Sequence, residues 1–230
     1  MRAVAIIPAA GRGERMRSDR PKVLTPIRGR PLLAWTLEPI LGIDAFLEVF
    51  IAYPPGEEHV IGQVIGQDFP DELRVRLVHG GQTRQESVAN CLARVPADID
   101  LVAIHDGARP LLTKQLLLNV LECANETGAA IAAVPCKDSI KICNEEGTVT
   151  ATLDREKLKL VQTPQCFRRE LIVAAHEKAE RDGYLGTDDS VLVERMGATV
   201  HVVMGSYENI KVTTPGDIIL CEEVLRRRRL

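Results

Sequence analysis

Short apolar runs recur along the chain and predict buried β-strands. Each run has four or five residues, mostly Val, Ile, Leu and Ala, and polar stretches separate one run from the next. Short, mainly apolar runs bounded by polar stretches are typical of strands that are buried in a sheet. The predicted strands are Val4–Ile7, Val49–Ala52, Val75–Val78, Leu101–Ile104, Ala130–Val134 and Thr199–Val203.

Helix signals lie between most of these runs. Thr83 and Glu86 have the spacing of a capping box, and apolar residues follow them at helical intervals. A proline at the first turn of a helix costs no hydrogen bond, which favours a helix start at the end of the chain as well. The predicted helix starts are Pro31, Thr83, Thr113 and the pair Thr214-Pro215.

Alternation of strands and helices predicts an α/β fold. We expect a Rossmann-like, mostly parallel twisted sheet with helices on both faces, formed by residues 1–230 as a single domain. In sheets of this kind ligands bind at the carboxyl ends of the strands. The residues that follow each predicted strand are therefore the first candidates for a functional site.

One segment interrupts the alternation and predicts a protruding β-arm at residues 137–156. Ser139–Cys143 and Thr148–Leu153 read as two strands, and the turn between them is Asn144–Gly147. A two-stranded hairpin is only marginally stable alone, so we expect the arm to pack against another subunit. The alternative is an edge hairpin that folds on its own domain.

Composition and charge exclude several classes of protein. The chain has 230 residues, 45% of them hydrophobic, and a net charge of −3, so no global field attracts nucleic acid or an anionic membrane. Aromatic residues make up only 3%, which also disfavours a base-stacking surface. The basic run Arg226–Arg229 is read as a solvated helix end, favoured by the helix dipole.

Cysteine usage and hydropathy predict a cytoplasmic protein. The six cysteines form no Cys-x-x-Cys pair and no zinc-like spacing with histidine, so we expect reduced thiols and no metal held by the protein. No charged-then-apolar signal segment opens the chain. No apolar run approaches the roughly 20 residues that a membrane span needs.

The loop after the first strand predicts a nucleotide triphosphate site. Small residues and two glycines, from Pro8 to Gly13, allow backbone N–H groups to approach phosphates closely. Arg12, Arg15 and Lys22 add positive charge there. The third glycine of a dinucleotide fingerprint and the Gly-Lys-Ser/Thr of a P-loop are both missing.

Four further clusters follow predicted strands or precede a helix. The Gly80-Gly81 backbone can read a base edge, while Asp106 can bind a sugar hydroxyl or a metal and Arg109 a phosphate. The alternative for Asp106 and Arg109 is a local ion pair that stabilises their turn. Gln162–Gln165 is read as a turn with exposed hydroxyl and amide groups, and Asn209–Thr213 places Lys211 just before the last helix.

Taken together, these motifs resemble those of the 2-C-methyl-D-erythritol 4-phosphate cytidylyltransferase family of the non-mevalonate isoprenoid pathway. The resemblance covers essentially the whole chain and keeps the order of the motifs. Its parts are Ala9-Ala10-Gly11-x-Gly13-x-Arg15-Met16, Pro21-Lys22, Gly80-Gly81-x-x-Arg84-x-x-Ser87-Val88, His105-Asp106-x-Ala108-Arg109-Pro110, Thr163-Pro164-Gln165, Thr187-Asp188-Asp189-Ser190 and Asn209–Thr213.

The resemblance implies a nucleotidyltransferase that joins CMP from CTP to a polyol phosphate, 2-C-methyl-D-erythritol 4-phosphate, and releases pyrophosphate, with Mg²⁺ as cofactor. It also implies a homodimer whose β-arms exchange across the interface. From charge and hydropathy we expect no nucleic acid or membrane partner. Two alternatives stay open: a cytidylyltransferase for another alditol phosphate such as ribitol 5-phosphate, and a nucleotide-binding module without catalysis.

The resemblance also implies roles for individual residues. Arg15, Lys22 and Lys211 would be catalytic, stabilising charge at the α-phosphate, and Lys211 would help to hold the incoming phosphate. The implied nucleotide-binding residues are Ala9, Ala10, Gly11, Arg12, Gly13, Gly81, Ser87 and Gly107. The implied acceptor-binding residues are Asp106, Arg109, Ser139, Thr163, Thr187 and, reaching the neighbouring subunit's pocket, Arg155.

Overall fold

A computed structural model describes residues 1–11 and 21–228. Arg12, Gly13 and Arg15 of the predicted phosphate loop, and Arg229 of the terminal run, lie outside the described residues. The strands are β1 (Ala3–Pro8), β2 (Pro26–Ile27), β3 (Arg30–Pro31), β4 (Phe46–Tyr53), β5 (Val75–His79), β6 (Leu101–Ile104), β7 (Ala129–Pro135), β8 (Lys141–Cys143), β9 (Val149–Thr152), β10 (Lys159–Arg168) and β11 (His201–Met204).

Helices connect most of these strands and agree with the predicted starts. Thr83 Oγ1 accepts a hydrogen bond from the Glu86 N–H at 3.0 Å, and Thr113 Oγ1 accepts one from the Leu116 N–H at 3.2 Å, so both caps are confirmed. The helices are α1 (Leu32–Leu41), α2 (Glu58–Asp68), α3 (Arg84–Leu92), α4 (Lys114–Thr127), α5 (Arg169–Arg181), α6 (Asp189–Glu194) and α7 (Pro215–Arg228).

Seven strands form one sheet in the order β11-β7-β10-β6-β1-β4-β5. Every neighbouring pair is parallel except the two that involve β10. Successive residues of β1 point to opposite faces: Ile7 packs in a core with α1 and α4, and Ile6 in a core with α3 and α5. The predicted α/β fold is confirmed, because both faces of the sheet are covered by helices.

The predicted turn at Gln162–Gln165 is wrong, because these residues lie inside the central antiparallel strand β10 and are buried. A polar segment with proline reads as a turn, since proline cannot donate to a strand ladder. Here the pairing with β7 is interrupted between Val161 and Gln165, so Pro164 falls where no ladder bond is lost. The predicted hydroxyl and amide groups are therefore not exposed.

The segment after β7 forms the predicted hairpin. Strands β8 and β9 pair antiparallel as a separate two-stranded sheet, and the Asn144 side chain closes the turn by accepting from the Thr148 N–H at 2.8 Å. Residues 141–157 are all exposed. The arm therefore does not add to the edge of the main sheet.

Among the residues that the structure describes, no helix is long and apolar enough to span a membrane.

Candidate functional site

A cavity of about 790 Å³ opens at the carboxyl ends of the parallel strands. The ends of β1, β4, β5 and β6 supply its walls, as expected for the ligand-binding edge of such a sheet. The described residues that line it are Pro8, Ala9, Ala10, Gly11, Lys22, Val23, Pro54, Pro55, Gly80, Gly81, Gln82, Thr83, Arg84, Glu86, Ser87, Asp106, Ala108, Lys211 and Thr213.

The first wall comes from the chain that leaves β1 and from the turn that begins at Lys22. The Ala9 N–H donates to the carbonyl oxygen of Ala52 at 2.9 Å, which ties the loop to β4. Buried Val23 packs in the core beside α1 and anchors the short 3₁₀ turn Lys22–Leu24. This anchoring places the Lys22 side chain at the cavity.

The second wall is the tight turn between β5 and α3. Ser87 Oγ accepts from the Gly81 N–H at 3.0 Å and donates to the Thr83 carbonyl at 2.9 Å, so this buried side chain holds the turn. A β-carbon at Gly80 would overlap the Ala10 side chain. Glycine at position 80 therefore permits the close approach of the two walls.

Asp106 lies at the floor of the cavity among cations. Its carboxylate is 2.9 Å from Arg84 Nε, 2.8 Å from Lys211 Nζ and 3.6 Å from Arg109 Nε. Burial by itself would raise the pKa of Asp106, but the neighbouring cations, Arg84 foremost, outweigh it and hold that pKa well below the ordinary value. Asp106 is therefore ionised at neutral pH.

Two contacts hold the backbone around Lys211 in place. The Val212 N–H donates to the Ala108 carbonyl at 2.8 Å, which joins this segment to the loop after β6. Asp217 Oδ2 accepts from the backbone N–H groups of Thr213 and Thr214, both at 2.8 Å, at the start of α7. Lys211 therefore extends from a fixed backbone into the cavity.

A hydrogen-bond relay under the cavity fixes the loop that carries Asp106. Thr163 Oγ1 accepts from the Asp106 N–H at 3.0 Å, so its proton is available to His105 Nδ1, also 3.0 Å away. That leaves His105 Nε2–H to donate to the Arg109 carbonyl at 3.2 Å. The relay requires neutral His105, and burial lowers the pKa of His105 to about 4.

We expect His105 to make folding stability depend on pH between 6.5 and about 4. Because the folded-state pKa of about 4 lies below the unfolded value, the stabilisation is complete above pH 6.5 and is lost as the pH falls towards 4. The full effect is roughly 3 kcal/mol. Urea unfolding at several pH values should show this slope in the wild type and a flatter one in His105→Gln. The exposed His59→Gln is the control, and an unchanged slope in His105→Gln would assign the effect elsewhere.

The structure brings together part of the predicted site. The cavity is lined by the predicted nucleotide-binding residues Ala9, Ala10, Gly11, Gly81 and Ser87 and by the predicted catalytic residues Lys22 and Lys211. It is also lined by one predicted acceptor-binding residue, Asp106.

The other described candidates lie away from the lining of this cavity. Gly107 is packed beneath Ala9, and Arg109 donates to the Asn209 carbonyl at 2.7 Å beside Asp106. Thr163 is buried, where it supports the Asp106 loop. Ser139, Arg155 and Thr187 are exposed, and Arg155 donates to the Lys137 carbonyl at 3.3 Å near the base of the arm.

Arg84 is a cavity residue that the predicted site set does not contain. Its guanidinium contacts Asp106 and also Asp189, from Nη1 to Oδ2 at 2.6 Å. Burial tends to lower the pKa of Arg84, but Asp189 and Asp106 together raise it, so Arg84 stays charged. The sequence places Arg84 in the first turn of a capped helix, but the contact with Asp189, far along the chain, appears only in the folded protein.

The cluster at the floor of the cavity suits an anionic ligand. Among the described residues, three cationic side chains, Arg84, Arg109 and Lys211, contact Asp106. Arg84 also contacts a second carboxylate, Asp189, so this cluster has one more positive than negative charge. Fixed cations of this kind stabilise negative charge that develops during a reaction. The arrangement is therefore fitted to phosphate chemistry.

Comparisons of the sequence with known proteins agree along its whole length. The sequence model described as IspD, 2-C-methyl-D-erythritol 4-phosphate cytidylyltransferase, matches residues 3–227. A protein of that name from Caldanaerobacter subterraneus subsp. tengcongensis is 43% identical over 227 residues, covering 99% of this chain and 100% of the relative. One from Desulforamulus reducens is 43% identical and covers 98% of this chain and 96% of the relative.

Solved structures agree with this fold. The 4-diphosphocytidyl-2C-methyl-D-erythritol synthase of Anaerococcus prevotii superposes with a TM-score of 0.86 at 32% identity, covering 98% of this chain and 96% of that one. The 2-C-methyl-D-erythritol 4-phosphate cytidylyltransferase of Thermus thermophilus gives a TM-score of 0.81 at 36% identity, covering 98% and 100%. The similarity therefore extends beyond the motifs to the complete fold.

Proposed function

The chain belongs to the 2-C-methyl-D-erythritol 4-phosphate cytidylyltransferase family, and from this premise we propose how its residues divide the work of the reaction. It transfers CMP from CTP to 2-C-methyl-D-erythritol 4-phosphate, giving 4-diphosphocytidyl-2-C-methyl-D-erythritol and pyrophosphate in isoprenoid precursor synthesis. The observation that carries the proposed roles is the cation-rich cavity at the carboxyl ends of the strands, where Lys22 and Lys211 both lie.

CTP occupies the groove between the two walls in this proposal. Ala9, Ala10, Gly81 and Ser87 line this groove and recognise the cytosine, since the tight turn presents backbone groups to a base edge. Gly107, which packs against Ala9, lies near the ribose. Gly11, with Arg12 and Gly13 of the undescribed part of the loop, surrounds the triphosphate. The small side chains in this wall leave room for the nucleotide.

The chemical step is an attack by a phosphate oxygen of the acceptor on the α-phosphorus of CTP. A new P–O bond forms, the bond to the pyrophosphate oxygen breaks, and pyrophosphate leaves with the electron pair. The acceptor phosphate is already ionised at neutral pH, so no general base is required. Lys22, Lys211 and Arg15 stabilise the charge on the α-phosphate, and positioning of the two anions supplies much of the remaining acceleration.

The acceptor binds on the Asp106 side of the cavity. Asp106 accepts hydrogen bonds from the hydroxyl groups of the acceptor. Arg109 and Lys211 offset the negative charge of the acceptor's phosphate. Ser139 and Thr187 line the acceptor pocket of their own chain, and the arm residue Arg155 reaches the pocket of the neighbouring subunit. Thr163 contributes through the Asp106 loop that it supports.

Mg²⁺ is proposed to enter as part of the CTP complex. No group of three or more His, Cys, Asp or Glu side chains in the described part of the chain is placed to hold a metal ion. Among the described lining residues two are carboxylates, and both are engaged: Asp106 with cations and Glu86 with the Gln82 N–H at 2.7 Å. These residues do not fit a protein-held Mg²⁺ site, so the ion belongs with the phosphate oxygens of the substrate.

A homodimer is proposed because the arm is exposed along both of its strands. Ile142 and Val149 expose 47% and 54% of their surface there, and a partner subunit would bury these apolar side chains. The six cysteines are free, which is consistent with the proposed cytoplasmic location. Nucleic acid and membrane are not proposed as partners.

Pyrophosphate release by the purified protein tests the assignment. With CTP and Mg²⁺, we expect turnover with 2-C-methyl-D-erythritol 4-phosphate and much less with ribitol 5-phosphate. EDTA should stop the reaction and excess Mg²⁺ should restore it. A preference for ribitol 5-phosphate would identify that compound as the acceptor instead. CTP binding without turnover on either acceptor would favour a non-catalytic nucleotide-binding module.

A further inference from the structure

Arg84 lies between two buried carboxylates that come from distant parts of the chain. Its Nε is 2.9 Å from Asp106 Oδ1, and its Nη1 is 2.6 Å from Asp189 Oδ2. Asp106 follows β6, whereas Asp189 is the first residue of α6. The side chain of Arg84 therefore bridges the floor of the cavity and the start of α6.

The second carboxylate is fixed independently of Arg84. Asp189 Oδ1 is 3.1 Å from Nε2 of buried His176, on α5. The start of α6 is also held by Gln165 of β10, whose side chain donates to Asp188 at 3.0 Å and accepts from the Ser190 N–H at 3.1 Å. Asp189 is thus a rigid anchor for one side of the guanidinium.

The contact with Arg84 determines which oxygen of Asp106 faces the catalytic lysine. Arg84 takes Oδ1, while Oδ2 lies 2.8 Å from Lys211 Nζ and 3.6 Å from Arg109 Nε. The planar guanidinium donates in fixed directions, so it constrains rotation of the carboxylate in a way that a single ammonium cannot. Loss of this contact would leave the Asp106 carboxylate free to rotate, so that Oδ2 is no longer held towards Lys211.

We propose that Arg84 is a positioning residue for the acceptor: braced by Asp189 and His176, it fixes the Asp106 carboxylate so that one oxygen stays directed to the acceptor and Lys211. This inference rests on the proposed placement of the acceptor at Asp106. Arg84 acts through Asp106, so its loss affects the acceptor far more than CTP. Asp189 and His176 support Arg84 in this role, although neither of them lines the cavity.

Steady-state kinetics with each substrate varied separately test this role. Arg84→Lys keeps the charge but loses the bridge, and we expect its KM for 2-C-methyl-D-erythritol 4-phosphate to rise about 10-fold or more. Its KM for CTP should stay within about twofold. Asp189→Asn should shift the same two constants in the same direction by a smaller factor. The matched control is Arg76→Ala. Arg76 is an exposed arginine on β5, and its Nε lies 3.0 Å from the carboxylate of Glu48 on β4.

Chemical rescue separates positioning from a structural effect. Arg84 lines the cavity, so added guanidinium at millimolar concentration should restore part of the activity of Arg84→Ala by replacing the missing group. Loss of folding would not be rescued in this way.

Equal increases in both KM values, or a larger increase for CTP, would overturn the inference, as would unchanged kinetics in Arg84→Lys. These outcomes are distinct from failure of the proposed function, in which the wild type itself shows no turnover with this acceptor.

Discussion

Lys22→Ala lowers kcat by about 10²–10³ while the protein stays folded, which is the expected result if Lys22 stabilises charge on the α-phosphate. Lys22 lies at the cavity on a turn that is anchored by buried Val23, so its backbone is already positioned before the reaction. The loss corresponds to about 2.7–4 kcal/mol of transition-state stabilisation. Single-turnover rates with saturating CTP and acceptor measure the chemical step directly.

The control for this variant is Lys178→Ala. Lys178 is on α5, far from the cavity lining, and pairs with Asp182 at 3.0 Å in an exposed ion pair that is worth little. Circular dichroism and thermal unfolding should show that Lys22→Ala and Lys178→Ala are both folded. A single-turnover rate for Lys22→Ala near that of the wild type would remove Lys22 from the catalytic role.

Mixed subunits that carry Lys22→Ala or Arg155→Ala recover activity, although each variant alone is nearly inactive. The reason is geometric: Arg155 lies on the exposed arm, away from the cavity of its own chain, so it is proposed to complete the partner's site. In a hybrid dimer one site then contains Lys22 from one subunit and Arg155 from the other, both intact. Random mixing should give about a quarter of wild-type activity, since about half of the dimers are hybrids with one working site each.

The matched negative control mixes Lys22→Ala with Lys211→Ala. Both lysines line the cavity of the same chain, so every site in their hybrid lacks one of them and no recovery is expected. Verified hybrids of Lys22→Ala and Arg155→Ala that stay inactive would contradict action across the interface. The same experiment requires a dimer, and size-exclusion chromatography with light scattering would establish one before mixing.

Lys211 shares its carboxylate partner with two other cations. Lys211 Nζ is 2.8 Å from Asp106, and Arg84 and Arg109 contact the same carboxylate. Lys211 is thus partly neutralised by Asp106 before substrates bind. Lys22 lines the same cavity.

The apolar pattern predicted most of the main sheet. The run Val4–Ile7 is covered on both faces, and its predicted position lies inside β1 (Ala3–Pro8). The last predicted strand, Thr199–Val203, begins two residues later, at His201. Caps at Thr83 and Thr113 are equally local, because a threonine oxygen bonds an N–H only three residues away.

Local sequence patterns did not predict strand β10. Its segment Gln162–Gln165 is polar and contains proline, yet it is buried because its partners come from elsewhere in the chain. Gln162 Nε2 donates to the Ser206 carbonyl at 2.8 Å, and Gln165 bonds to Asp188 and Ser190. Burial of a polar strand is favourable only when such distant groups satisfy it.

The amino-acid sequence by itself determined the alternation of strands and helices, the caps, the arm and the glycine-rich walls of the cavity, because each depends on side chains close together in the chain. The tertiary structure alone decided that β10 is inserted antiparallel and that Asp106 is surrounded by Arg84, Arg109 and Lys211. It alone also joined Arg84 to Asp189, 105 residues away. Electrostatic partners of a buried charge depend on distance in space, and the fold sets that distance.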